Sequence, residues 1–371
     1  MQKFMIVPTI YEYKDFKAFA EEFCLDSNDL IITNRYILND SRDCGGCQMI
    51  FQEQYGTGEP TDIMINRILN DLSCIEYNRI FAIGGGTVLD IAKIIAVAEK
   101  HADVNKLYEN ADKLQKIHKL FLLPTTCGTG SEMTNIAVVN RTECKTKQGL
   151  VSRSMYADGA VLVPQFIDTL PYAVFATSSL DAFVHAVESY LSPNATDFSR
   201  MYSSEAIKLI LSGYKIIVEE RKSIAGLGKQ FLRASSYAGV AFGNAGCGTV
   251  HAMSYAFGGK YHVSHGEANY QFFMEILKYY KNKGVSGGMS SLMELFSKCL
   301  GLKHTEDALE RLDRLLNDIL PRRAMKEYGA VEEDVLEFAE STMVNQQRLL
   351  KNSYVPMTKE CLAEIYRKCL Y

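Results

Sequence analysis

The sequence has no uninterrupted apolar run of about 18 residues, so no transmembrane helix is expected. It has no surplus of either charge. Forty Lys and Arg face 44 Asp and Glu, a net charge of -4, which gives no basis for binding nucleic acid or an acidic membrane. The opening MQKFMIVPTIYEYKDF has neither the long apolar core nor the small-residue cleavage site of a secretory signal, and a cytoplasmic location is expected. The ten scattered cysteines then read as reduced thiols. Cys44 and Cys47 have the spacing of a redox or metal pair, but no second pair and no helix start accompany them, so an ordinary loop is expected. Internal repeats and low-complexity linkers are also missing.

What is present is an ordinary globular composition, 47% hydrophobic and 23% charged, in 371 residues. That length exceeds one hydrophobic core and predicts two domains. The first half alternates short apolar runs, LIIT (30–33), QMIFQ (48–52), RIFAIG (79–84), LFLLP (120–124) and AVLVP (160–164), with helical patterns at 60–72 and 87–100. Such alternation predicts a mainly parallel, Rossmann-like sheet with helices on both faces. Beyond Pro171 only helical patterns follow, among them SLDAFVHAVESYL and VLEFAESTMVNQQRLL. The expectation is an α/β dinucleotide-binding domain over 1–175 and an all-α domain over 176–371, with the active site in the cleft between them.

Two glycine-rich turns stand out. RIFAIGGGTVLD runs from a strand through Gly84, Gly85 and Gly86 into a helix, more glycine than a tight turn needs. Glycines admit a phosphate close to the backbone, and the helix N-terminus supplies free N–H groups and positive dipole. Leu89 occupies the last glycine position of G-x-G-x-x-G, so this is not that fingerprint. About 40 residues later, LFLLPTTCGTGSE adds a second polar cradle with Thr125, Thr126, Thr129 and Ser131. Loops that follow strands of one sheet share its ligand-binding edge.

Of seven histidines, three fall in NAGCGTVHAMSYAFGGKYHVSHGEANY, as His251, His262 and His265. Glycines break that stretch into a helix flanked by loops. In LDAFVHAVESY, Asp181 and His185 are four apart and share a helix face. Asp181, His185, His251 and His265 would make one oxygen and three nitrogen donors, a set suited to zinc or ferrous iron. Spacing alone does not bring them together.

GGGTVLDIAK (84–93), PTTCGTGSE (124–132), DAFVHAVESY (181–190) and the 14-residue interval from His251 to His265 together resemble the iron-containing (group III) alcohol dehydrogenase family. The resemblance covers essentially the whole chain. It implies one divalent metal held by Asp181, His185, His251 and His265, with Fe2+ expected and Zn2+ the alternative. Cofactor positions map to Gly84, Gly85, Gly86, Thr87, Thr125, Thr126, Thr129, Val138 and Lys147, and Asp90 is placed near the nicotinamide. Glu188, on nearly the same face as Asp181, is read as structural. The family often ends its first strand with an Asp that contacts the adenosine ribose and repels a 2′-phosphate. Asn34 stands there, so NAD is expected without NADP being excluded. Where many members carry a histidine four residues after the third metal ligand, this chain has Tyr255, and His262 or open solvent is taken as the alternative proton carrier. Ser178-Ser179 and Gly58-Glu59-Pro60 also depart from the family pattern.

FQEQYGTGEPTD, the His251–His265 segment and the late NQQRLL carry a nearer likeness, to members that interconvert 4-hydroxybutyrate and succinate semialdehyde. A hydroxy-acid substrate needs a partner for its carboxylate, and Lys260, Tyr261 and Arg348 are the candidates. A dehydrogenase for a neutral alcohol or diol, such as 1,3-propanediol or glycerol, is the alternative. A dehydroquinate-synthase-like lyase is a more distant one. A homodimer is expected by resemblance.

Overall fold

The computed structural model describes residues 3–38, 44–143, 146–284 and 287–371. The chain divides into two compact units. One spans Ile6–Leu170; the other takes Pro171–Tyr371 together with the N-terminal segment ending at Met5. The division falls at Leu170 rather than 175 because a long helix already begins at Tyr172.

The first unit is built on strands β1 (Thr9–Glu12), β2 (Asp29–Thr33), β3 (Gln48–Phe51), β4 (Arg79–Gly84), β5 (Lys119–Pro124) and β8 (Gly159–Leu162), in the order β1-β8-β5-β4-β2-β3. Every neighbouring pair is parallel. Strands β6 (Ile136–Arg141) and β7 (Thr146–Val151) form a separate antiparallel pair. Helices α1 (Phe16–Glu22), α2 (Asp62–Leu72), α3 (Gly86–Ile95), α4 (Val104–Leu107) and α5 (Gln165–Asp168) complete the unit.

The apolar runs are continuous because both faces of the sheet are covered. Leu30, Ile32, Ile80, Ala82, Leu120 and Leu122 pack on one face with residues of α2 and α3. Ile31, Phe81, Ile83, Phe121, Leu123 and Val161 pack on the other with Phe19. Cys44 and Cys47 are buried in that second layer, and the Cys47 thiol donates to the Cys44 carbonyl at 2.7 Å. Burial, with Asp29 nearby, pushes the Cys47 thiol up to about 11, which suits a buried core thiol and not a nucleophile.

Strand order reverses between β2 and β4, since β3 lies outward of β2 while β5 lies beyond β4. The turns after β2 and β4 therefore meet at the carboxyl edge of the sheet, the place where open α/β sheets take ligands.

The second unit is helical: α6 (Tyr172–Leu191), α7 (Asp197–Glu219), α8 (Gly228–Ala245), α9 (Thr249–Tyr261), α10 (His265–Asn282), α11 (Gly288–Leu300), α12 (Ala308–Ile319), α13 (Glu332–Asn345), α14 (Gln347–Leu350) and α15 (Lys359–Leu370). Its described residues contain no strand. The pattern expected as one helix through NQQRLL breaks at Gln346, whose φ of -115° and ψ of 27° separate α13 from α14. Among the described residues, no helix is long and apolar enough to cross a membrane.

Candidate metal centre and dinucleotide loops

Helix α6 presents Asp181, His185 and Glu188 on one buried stripe, at 3%, 6% and 7% exposure. An uncompensated carboxylate there would cost several kcal/mol, so each needs a partner. The partners come from the junction of α8 with α9 and from the start of α10. Gly266, the second residue of α10, makes this approach possible. A Cβ there would lie 2.0 Å from the Thr177 carbonyl oxygen and 3.1 Å from the Asp181 Cβ. Only glycine lets α10 seat His265 against α6.

Asp181, His251 and His265 place their ligand atoms within 4.8 Å of one another. Asp181 Oδ1 is 3.7 Å from His251 Nε2 and 3.8 Å from His265 Nε2. The amide nitrogen of Asn269 sits at their centre, 2.7 Å from Asp181 Oδ1, 3.1 Å from His251 Nε2 and 3.3 Å from His265 Nε2. An NH2 group has two hydrogens and faces three lone-pair donors, while its own Oδ1 is buried without a hydrogen-bond partner. A cation suits that point better than an amide, and the donors fit iron or zinc. His185 approaches Asp181 at 3.9 Å, its ring held between Phe242 (4.3 Å) and His251 (4.6 Å). Its nearest other donors are His251 and the Cys247 thiol, in a second set within 4.8 Å.

The charges follow from this geometry. Burial alone would raise the Asp181 carboxyl, but His185, His265 and His251 outweigh it and hold the group far below the usual carboxylate range. Burial would lower the His251 imidazole, but Cys247, Asp181 and Glu188 keep it well above its ordinary value.

Glu188, read from sequence as structural, does more. Its carboxylate is 2.6 Å from His251 Nδ1 and accepts backbone N–H groups of Gly248 (3.1 Å) and Val250 (2.6 Å). It caps the α9 N-terminus and turns His251 Nε2 toward the donor set, as acids behind metal-binding histidines do. Its position, seven residues after Asp181 on one helix, was the available signal. Asn269, four residues after His265, was equally visible as a spacing and equally overlooked.

Tyr255 is half-buried, with its ring 5.8 Å from that of His265. His262 is exposed and closes α9 in the left-handed conformation, φ 54°. Lys260 is exposed and donates to Asp334 (2.6 Å) and Glu337 (2.8 Å); the Tyr261 hydroxyl donates to Asp334 at 2.5 Å. Arg348 lies on α14, whose Leu349 packs with Cys247, Ala252, Phe242 and Tyr255 beside the donor set.

In the α/β unit, β4 ends at Gly84, and Gly85 serves as the N-cap of α3 without any side chain to fill the helix N-terminus. A Cβ on Gly86 would lie 2.8 Å from Thr129 Cγ2, so the two glycine-rich turns touch. The Thr125 N–H donates to Gly84 O at 3.0 Å, and Thr126 faces Gly85. Thr87 donates to Gly58 O at 3.0 Å. Asp90 accepts from Ser131 Oγ (2.7 Å) and the Val138 N–H (2.9 Å), bracing the second turn and β6. Lys93 is fully buried beneath them and donates to Ser131, Thr134 and the Ile136 carbonyl. Burial pulls its ammonium below the ordinary value despite Asp90. Lys147 on β7 pairs with Glu59 at 2.6 Å.

Asn34, at the end of β2, is buried and donates to Gln52 (3.1 Å) and Glu53 (2.9 Å). Glu53 also accepts the Arg35 N–H at 2.9 Å. The Glu53 carboxylate, in the turn after β3, therefore lies directly beside residue 34.

A nucleotide-type sheet edge in one unit and a carboxylate–imidazole donor set in the other suit a metal-dependent, dinucleotide-linked enzyme. The chain belongs to the iron-containing alcohol dehydrogenase family. Residues 25–164 match the family model "Iron-containing alcohol dehydrogenase", and 175–370 match "Fe-containing alcohol dehydrogenase family, C-terminal". Over 372 aligned residues it is 43% identical to a 4-hydroxybutyrate dehydrogenase of Clostridium kluyveri, covering 99% of this chain and 100% of that one. A long-chain-alcohol dehydrogenase of Geobacillus thermodenitrificans is 32% identical, covering 78% and 74%. The fold matches a crystal structure of sulfoacetaldehyde reductase from Bifidobacterium kashiwanohense in complex with NAD+, with a TM-score of 0.86, 20% identity and coverage of 100% and 99%. It also matches a 1,3-propanediol oxidoreductase, at a TM-score of 0.84, 22% identity and full coverage of both chains.

Proposed function

We propose that this protein is an NAD-linked dehydrogenase that interconverts 4-hydroxybutyrate and succinate semialdehyde. The observation that carries the reading is the 43% identity to the Clostridium kluyveri enzyme over 99% of the chain. The donor set supports it.

In the forward direction, hydride leaves the carbinol carbon for the nicotinamide and the hydroxyl proton goes to water, giving aldehyde, NADH and H+. A divalent ion, when bound, supplies the Lewis acidity that lowers the alcohol pKa toward neutrality. Asp181, His185, His251 and His265 would hold that ion. Fe2+ is the proposed occupant, because carboxylate and imidazole suit it, and Zn2+ is the alternative. Glu188 fixes the orientation of His251. The N-terminus of α3, with no side chain capping it, receives the dinucleotide pyrophosphate. The threonines of the second turn supply further donors to it. Asp90 and Lys93 keep the two turns together. A homodimer in the cytoplasm belongs to the same proposal.

Iron-loaded protein prepared without oxygen should form NADH faster from 4-hydroxybutyrate than from 1,3-propanediol, glycerol or butanol, and should reduce succinate semialdehyde in preference to butyraldehyde. Preference for butyraldehyde or for a diol would overturn the substrate assignment and leave the dehydrogenase class standing. Size-exclusion chromatography with light scattering tests the dimer.

A further inference from the structure

Cys247 occupies the short turn between α8 and α9, with Gly246 before it at φ 81° and Gly248 after it as the N-cap of α9. The turn carries the thiol inward, to 7% exposure. There it meets His185 and His251, and the three side chains place ligand atoms within 4.8 Å of one another. Both rings are fixed. His185 is stacked between Phe242 and His251, and His251 is anchored by Glu188. Ala252, Leu349 and Tyr255 pack around Cys247, giving the sulfur an apolar surround.

The molecule therefore holds two overlapping donor sets that share His251, and the sulfur set also draws His185 from the four residues proposed to hold iron. Asp181–His251–His265 is oxygen and nitrogen; His185–Cys247–His251 is nitrogen and sulfur. Carboxylate and imidazole suit a harder ion such as Fe2+, whereas a thiolate draws softer ions such as zinc and cadmium, for which cobalt is a spectroscopic stand-in. One imidazole cannot serve two positions equally.

We propose that Cys247 makes this centre a two-position metal site, with a thiophilic ion bound through the Cys247 sulfur and the imidazoles of His185 and His251, displaced from the position that Asp181 and His265 define. On binding, the Sγ–H gives its proton to solvent and the sulfur–metal bond forms, with no change of oxidation state. The inference extends the proposed metal assignment and does not depend on the substrate. It makes the identity of the bound ion decide which side chains hold it.

The test uses the whole protein, stripped of metal and titrated with Co2+ or Cd2+. Wild-type protein should develop the near-ultraviolet thiolate-to-metal charge-transfer band, saturating at one ion per chain. His265→Ala should keep the band, because His265 lies outside the sulfur set, and Cys247→Ser should lose it. Should Cys247→Ser fail to fold, X-ray absorption on cadmium-loaded wild-type protein decides the matter: one sulfur neighbour supports the proposal. A shell of oxygen and nitrogen only, a cobalt complex without the charge-transfer band, or no binding of either ion overturns it. Loss of the band in His265→Ala would overturn the separate position, leaving a single centre. Failure of the substrate panel with the band intact would count against the proposed reaction and not against this site.

Discussion

Glu188 Oε2 lies 2.6 Å from His251 Nδ1, and the same carboxylate accepts two backbone N–H groups at the start of α9. One acid thus sets the position of a helix and the direction of an imidazole on it. Glu188→Gln loses the charge and, with one acceptor oxygen in place of two, cannot keep both backbone contacts. It should weaken metal affinity by about 10–100-fold, with NAD binding unchanged. Metal titration and NAD fluorescence titration would check both. Unaltered metal affinity would reduce Glu188 to a helix cap. Asp181→Ala should strongly weaken Fe2+ binding while sparing NAD.

Cofactor choice is expected to turn on Glu53. Its carboxylate lies beside Asn34 and Arg35 at the carboxyl edge of the sheet, where an anionic side chain repels a 2′-phosphate. The wild type should prefer NAD, and Glu53→Gln should shift the NAD-to-NADP ratio of kcat/KM toward NADP by about 10-fold or more. Asn34→Asp, which would set two carboxylates against each other, should lower thermal stability. An unchanged ratio in Glu53→Gln would place discrimination elsewhere.

Among the three candidate carboxylate anchors, Arg348 is the one expected to act. Lys260 is already paired with Asp334 and Glu337, and Tyr261 with Asp334. Arg348→Ala should raise KM for succinate semialdehyde by about 10–100-fold, the loss of a charge-assisted contact, with little effect on butyraldehyde. Lys260→Ala should leave the ratio between the two aldehydes alone. Because His262 is an exposed helix cap, His262→Gln should leave the pH–rate profile unchanged; a displaced profile would return the proton step to it.

Asp334 provides a stability prediction with a definite sign. Burial would raise its carboxyl, but Lys260, Tyr261 and the Val331 N–H outweigh burial and depress it. A depressed carboxyl contributes stability that is fully present above its unfolded value, near pH ~4, and is lost as pH falls through the folded value. Asp334→Asn should cost about 1–3 kcal/mol at pH 7, and the difference in Tm from wild type should shrink steadily below about pH 4. A difference independent of pH would mean that packing and not charge is lost.

The sequence alone determined the elements that local chemistry dictates. Five apolar runs became β2, β3, β4, β5 and β8, because strands buried on both faces need continuous hydrophobic residues. Strand β1 escaped notice because it is an edge strand with mostly exposed side chains. The β6–β7 pair escaped because NRTECKTKQG reads as a polar loop until its two strands pair. Asp181 and His185 were legible as a pair at helical spacing, whereas His251 and His265, on separate helices, joined them only through the family resemblance. Tertiary structure decided what spacing cannot: Gly266 lets α10 touch α6, Glu188 turns His251, Asn269 marks the point of convergence, and Cys247 joins His185 and His251. It also bound Lys260 and Tyr261 to Asp334, 74 and 73 residues away in the chain. Propensity and periodicity act over one or two turns of chain, whereas a site is made by side chains that only packing brings within a few ångströms.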